Sequence, residues 1–138
     1  LYSELGRKAV VAGRSAIAKG GYGDDAAEMR RFRKDMHKLL SPLELLDLIG
    51  FGDFYHMSMF RDLLFHVQEH RFDIPQIGHT LEKHGLEFLH FNVKKDAEAL
   101  YRQHYPDGPH SLENWHALEQ KNPTLFREMY FFWCAKKS

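Results

Sequence analysis

Cysteine is almost absent from this chain. The single residue Cys134 among 138 excludes an internal disulfide framework and fits a reducing compartment. There is no excess of charge of either sign. Lys and Arg together number 19, and so do Asp and Glu. That balance removes the electrostatic argument for a nucleic-acid or membrane partner. No apolar run approaches the ~18 residues of a transmembrane helix. The N-terminus has no apolar signal-peptide region, and no repeat or low-complexity linker interrupts the sequence. The location these absences predict is the cytoplasm. An initiator Met is also missing, so a chain that opens at Leu1 reads as a fragment or a processed product of a longer unit. Its length suffices for one domain with a core of its own. Histidine, by contrast, is abundant at ten residues, enough to make the chain cationic once the pH falls below ~6.5.

Helical signals dominate the first part. "LGRKAVVAGRSAIAKGG" spaces Val10, Ile17 and several alanines helically, and Gly20 and Gly21 stop it. In "YGDDAAEMRRFRKDMHKLL", Asp24 or Asp25 caps a helix whose apolar stripe is Met29, Phe32, Met36, Leu39 and Leu40. The basic RRFRK within it reads as a solvated face. In "SPLELLDLIG", Ser41 is the N-cap, Pro42 takes the first helical position and Glu44 completes a capping box. "FGDFYH" is a loop, and Ser58 is placed to cap "MFRDLLFHV". "DIPQIGHTLEKHG" starts on Asp73 with Gln76 at the box position and ends at Gly85, burying Ile74, Ile77 and Leu81. The period then changes. "LEFLHFNV" alternates Leu86, Phe88, His90 and Asn92 against Glu87, Leu89, Phe91 and Val93, as a strand does. Two helices follow, the second capped by Ser111, then a last turn or short helix in "NPTLFREM". The aromatic C-terminal run "MYFFWCAKK" reads as a second strand. Two isolated strands make a poor sheet, so the pattern predicts a larger sheet whose other strands lie outside this chain.

"LLFHVQEHRF" holds His66, Glu69 and His70 in the order H-x-x-E-H, the inverted zinc-peptidase motif. On a helix, His66 and His70 would share a face and grip one ion, with Glu69 as base on a zinc-bound water. A third ligand would come from Glu113, Glu119 or Glu128, and spacing selects none of them. The helical pattern fades before Asp73 opens the next helix. If residues 66–71 are extended, the two imidazoles stand ~13 Å apart at strand rise, too far for one zinc. The segment then supplies local hydrogen bonds or lines a pocket with donors and acceptors.

The run "FYHMSMFRDLLFHVQEHRFDIPQIGHTLEKHGLEFLHFNV", with "LYSE" at the start, "NW" at Asn114–Trp115 and "MYFFWCAKK" at the end, resembles the C-terminal half of a class I S-adenosylmethionine-dependent methyltransferase. The similarity is to bacterial methyltransferases that often follow tetratricopeptide repeats, and it covers nearly the whole chain. It implies an α+β, mostly α-helical fold: a helical lid plus the last strands of an incomplete Rossmann-like sheet, in one domain over residues 1–138. Residues 1–72 would hold the end of the fifth strand (Leu1 to Glu4) and the lid. Residues 73–138 would hold the last helices, the sixth strand (Glu87 to Val93) and an antiparallel seventh (Met129 to Lys136).

The resemblance also implies what is missing. The family's glycine-rich cofactor loop and ribose-binding acid would precede Leu1, and "GGYG" at Gly20–Gly23 follows no strand. The cofactor-binding residues are therefore upstream, S-adenosylmethionine is expected in the longer protein, and no tight cofactor or metal is expected on this chain alone. What remains is the acceptor side. Tyr2, Ser3 and Glu4 would sit at a strand's carboxyl end, where ligands of open α/β sheets bind. Asp53, Tyr55, Arg61, Gln68 and Arg71 would border the same crevice from the lid, with His66, Glu69 or His70 as the base that takes the acceptor's proton. The expected partners are the N-terminal methyltransferase half and an unnamed methyl acceptor. An exposed strand edge can also pair with a second copy. Two other classes remain open: a non-catalytic helical interaction module and the zinc hydrolase.

Overall fold

The computed structural model describes residues 1–66 and 68–138; Val67, inside the 66–71 segment, lies outside them. The architecture is α+β and mostly helical. Seven α-helices and two small two-stranded sheets are present among the described residues. The chain divides into two compact units. One is Arg7–Glu69, and the other joins Leu1–Gly6 to His70–Ser138.

The first unit is helical: α1 (Lys8–Gly20), α2 (Ala26–Leu39), α3 (Pro42–Ile49), a 3₁₀ turn (Gly52–Tyr55) and α4 (Met57–Leu64). Its ends follow local chemistry. Asp25 accepts from the amides of Ala27 and Glu28 to cap α2. Ser41 and Glu44 complete the capping box of α3. Gly21 closes α1 in the left-handed region at φ 63°, where a side chain would be strained. Ser58 does not cap α4. That helix starts two residues earlier, with His56 in the extended cap position. The core joins Val10 and Ile17 of α1, Phe32 of α2, Leu48 of α3 and Phe60 of α4. Each such side chain contributes ~1.5–3 kcal/mol by leaving water. Gly13 lets α1 come close, because a Cβ there would meet Leu64 Cδ2 at 3.0 Å and Leu48 Cδ2 at 3.4 Å.

RRFRK is only partly a solvated face. Arg30, Arg31 and Lys34 are exposed and Phe32 is buried. Arg33 is half-buried, with its guanidinium 4.9 Å from the Phe54 ring centre and 4.4 Å from that of Phe60, and it donates to the Phe54 carbonyl. A planar cation can lie on aromatic faces that exclude water from one side of it.

The second unit contains β1 (Tyr2–Ser3), β2 (Arg71–Phe72), α5 (Ile74–Lys83), β3 (Leu86–Phe91), α6 (Lys95–His104), α7 (Leu112–Lys121) and β4 (Phe132–Lys136). Asp73 and Gln76 form the expected capping box of α5. β1 and β2 pair in parallel, Tyr2 opposite Arg71 and Ser3 opposite Phe72. β3 and β4 are antiparallel, with a register irregularity between Phe88 and His90. The strict alternation expected for "LEFLHFNV" therefore fails at Leu89. The extra residue brings Phe91, at odd spacing from Phe88, to the same core side, and their ring centres are 4.9 Å apart. Phe91 packs on Trp115, Phe126 and Tyr130. The segment "NPTLFREM" forms turns without a helix.

Candidate functional site

The H-x-x-E-H residues lie outside any helix. α4 ends at Leu64, and His66, Gln68, Glu69 and His70 have no regular secondary structure. The helical turn that the zinc reading needs to bring His66 and His70 to one ion is absent. Among the described residues, no group of three or more His, Cys, Asp or Glu side chains is placed to hold a metal.

Glu69 is bound by arginine. Its side chain is 4% exposed. Arg7 Nε donates to Oε1 at 3.2 Å and Arg7 Nη2 to Oε2 at 2.9 Å. Arg14 Nη2 donates to the same Oε2 at 3.1 Å and also, with Nε, to the Leu63 carbonyl at 2.8 and 3.2 Å. Arg7 precedes α1 and Arg14 lies within it, seven residues on. Two helical turns return nearly to one face, so both guanidiniums address one carboxylate. The arrangement ties the chain after α4 to the start of α1.

The other expected site residues divide between the two units. His66 is exposed and lies 3.6 Å from Asp62, one turn back. Gln68 is exposed. Asp53 is half-buried and Tyr55 exposed on the 3₁₀ turn. Arg61 donates from Nε to the Asp24 carbonyl at 3.1 Å, a structural use of that side chain. In the second unit, His70 and Arg71 border an open hollow of about 630 Å³ with Asp73, Gln76 and His79. Arg71 Nε donates to Glu4 Oε2 at 3.1 Å across the parallel pair. Tyr2 is half-buried beside it and Ser3 is fully buried. The structure thus brings Tyr2, Ser3, Glu4 and Arg71 together along the β1–β2 pair, with Tyr2 and Arg71 opening the two strands and Ser3 and Glu4 at the carboxyl end of β1.

One buried cluster was not foreseen. Glu119 on α7 is 1% exposed. Its Oε1 accepts from Ser3 Oγ at 2.8 Å and from the Tyr130 hydroxyl at 2.7 Å. Ser3 Oγ in turn accepts from the Gly6 amide at 2.9 Å. Burial pushes the Glu119 carboxyl above the usual carboxylate range, although the two hydroxyl donors pull it partly back. Burial, then the bond to Glu119, raises the Tyr130 hydroxyl strongly, so it stays a donor. The available signal was an acid on an apolar stripe: Trp115, Leu118 and Glu119 fall at helical spacing on one face.

No protein-family model matches this chain, and no curated protein matches it.

Proposed function

We propose that this chain is the C-terminal, substrate-capping part of an S-adenosylmethionine-dependent methyltransferase, with the Rossmann-like sheet completed by chain that precedes Leu1. The observation that supports the reading is at the edge of β4. The Leu1 amino group donates to the Tyr130 carbonyl at 3.1 Å, and the Tyr130 amide donates to the Leu1 carbonyl at 2.6 Å. Two residues that exchange both bonds form the hydrogen-bonded pair of an antiparallel ladder. On its other side β4 faces β3, through Asn92 N–H to Phe131 O at 2.7 Å and Lys137 N–H to Gly85 O at 2.9 Å. By alternation, the backbone groups of Phe132, Cys134 and Lys136 point the same way as those of Tyr130, toward the outer edge. A strand running into Leu1 would therefore lie antiparallel along β4, with the residue n positions before Leu1 opposite residue 130 + n. Phe131 and Trp133, 53% and 61% exposed, supply apolar surface for the missing part to cover.

In this reading the acceptor side is what this chain contributes. Gly20–Gly23 end α1 and follow no strand, so they do not fit S-adenosylmethionine, and no step of its chemistry is assigned to these residues. Glu69 serves as the anchor of its segment. His70, exposed and in the same unit as Glu4 and Arg71, is the group that would take a proton from an acceptor. Glu4 and Arg71, ion-paired beside β1 and β2, border the place where an acceptor would enter.

A second reading, a non-catalytic interaction module, is favoured by Leu43 and Leu46 of α3. They are three residues apart on one helix face and 77% and 61% exposed. One experiment separates the two. The 138-residue chain and a polypeptide continued upstream of Leu1 are titrated with S-adenosylmethionine by calorimetry, and Trp133 is followed by fluorescence. Micromolar binding by the longer chain alone, with a blue shift of Trp133, supports the methyltransferase. A longer chain that binds no S-adenosylmethionine and leaves Trp133 solvated refutes it.

A further inference from the structure

Among the described residues the side chains of Glu69 and Glu119 are both shielded from solvent, and they are treated in opposite ways. Glu69 meets two guanidiniums. Glu119 meets two hydroxyls and neither lysine nor arginine among its described hydrogen bonds. Both hydroxyl donors converge on Oε1. Oε2 is shielded from solvent and has no hydrogen-bond partner among the described residues. A carbonyl oxygen has two lone pairs and can take both donors, whereas an ionised carboxylate would leave its second oxygen charged, buried and unsatisfied. His116, one turn earlier on α7, has a buried Nδ1 that also lacks a partner among the described residues. The groups whose charge bears on Glu119 are His116 of the same helix, Asp73 at the start of α5, and the Tyr130 hydroxyl. Asp73 opposes a negative charge on Glu119 and His116 favours one, but burial is the largest influence and raises the carboxyl.

We propose that Glu119 holds a proton on Oε2 in the folded protein at neutral pH, and that this neutral carboxyl latches β1 to α7 and to the entry of β4. The proton removes the buried charge and leaves Oε1 as the common acceptor for Ser3 and Tyr130. Ser3 passes the constraint on to Gly6 through the Gly6 amide. The inference stands apart from the methyltransferase reading, because it uses only groups within one unit.

The pH dependence has a definite sign. The carboxyl titrates higher in the folded state than in the unfolded chain, so folding takes up a proton. The latch contributes fully below the ordinary carboxyl range of ~4.5, and its contribution is lost as pH rises through the folded value.

The test is carboxyl-carbon NMR on the intact chain labelled at glutamate, with Glu119 assigned through bonds. The expected result is a Glu119 signal still in its protonated position at pH 7 while the exposed glutamates have titrated. Amide exchange at Gly6 is expected to quicken as that signal moves. Glu119→Gln, which keeps an acceptor and is neutral at every pH, is expected to fold and to remove the pH dependence of Gly6 exchange. A Glu119 signal that titrates with the exposed glutamates overturns the proposal, whether or not the variant folds. So does a Gln variant whose Gly6 exchange keeps the wild-type pH profile.

Discussion

Replacing Glu69 by alanine tests whether H-x-x-E-H is an anchor or a chemical site. The variant would leave two guanidiniums, 7% and 11% exposed, without their common carboxylate. Removing one partner of a buried ion pair costs ~3–5 kcal/mol. Here the low end applies, because Arg14 keeps the Leu63 carbonyl and the Arg7 guanidinium still lies 5.4 Å from the Phe51 ring centre. About 3 kcal/mol is a large part of the ~5–15 kcal/mol that holds an ordinary domain folded. With urea slopes of ~1–3 kcal/mol per molar, the midpoint should fall by roughly 1–3 M. Far-UV circular dichroism is the right probe, since both tryptophans, Trp115 and Trp133, belong to the other unit. Glu69→Gln keeps an acceptor but loses the charge, so it should fall between wild type and alanine. A double-mutant cycle with Arg14→Met should return a coupling well above the ~0.5 kcal/mol expected of independent sites. An alanine variant within ~0.5 kcal/mol of wild type, the usual range for surface changes, would refute the anchor. It would return Glu69 to the list of candidate bases.

Gly6→Ala places a Cβ against the Phe126 carbonyl oxygen and 2.9 Å from Arg127 Cα. Both contacts are backbone and no rotamer relieves them, so a loss of ~1–3 kcal/mol is expected, read from tryptophan fluorescence in urea. Ser41→Ala removes the side-chain half of the α3 capping box. It should cost ~1 kcal/mol and raise amide exchange at Glu44, whose N–H donates to Ser41 Oγ; unchanged exchange there would count against the box.

Local features were readable from the sequence because the groups that decide them are neighbours. Asp73 and Gln76 lie three residues apart, and so do Ser41 and Glu44; their bonds follow from helix geometry alone. Gly21 ends α1 because a left-handed residue must. The two strands declared themselves by aromatic content, but alternation could not foresee the extra residue at Leu89, which depends on how Phe91 reaches the core. RRFRK misled for a related reason. A basic cluster reads as solvated until the partner is known, and Arg33 finds its rings 21 and 27 residues further on, at Phe54 and Phe60.

The candidate site was harder because its chemistry rests on distant pairs. Arg7 and Glu69 are 62 residues apart, and Ser3 and Glu119 are 116 apart. Periodicity reports that a residue is buried, and the place of Glu119 beside Trp115 and Leu118 held that signal unread. It carries no information about what the residue meets there. For a carboxyl that partner decides everything chemical: Glu69 is held by two guanidiniums, whereas Glu119 is buried with two hydroxyl donors, and burial favours its proton. A motif search weighs both as acids. Only the three-dimensional neighbourhood separates a carboxyl held by two arginines from one met by hydroxyls alone, and that separation is why Glu69→Gln should destabilise the protein while Glu119→Gln should not.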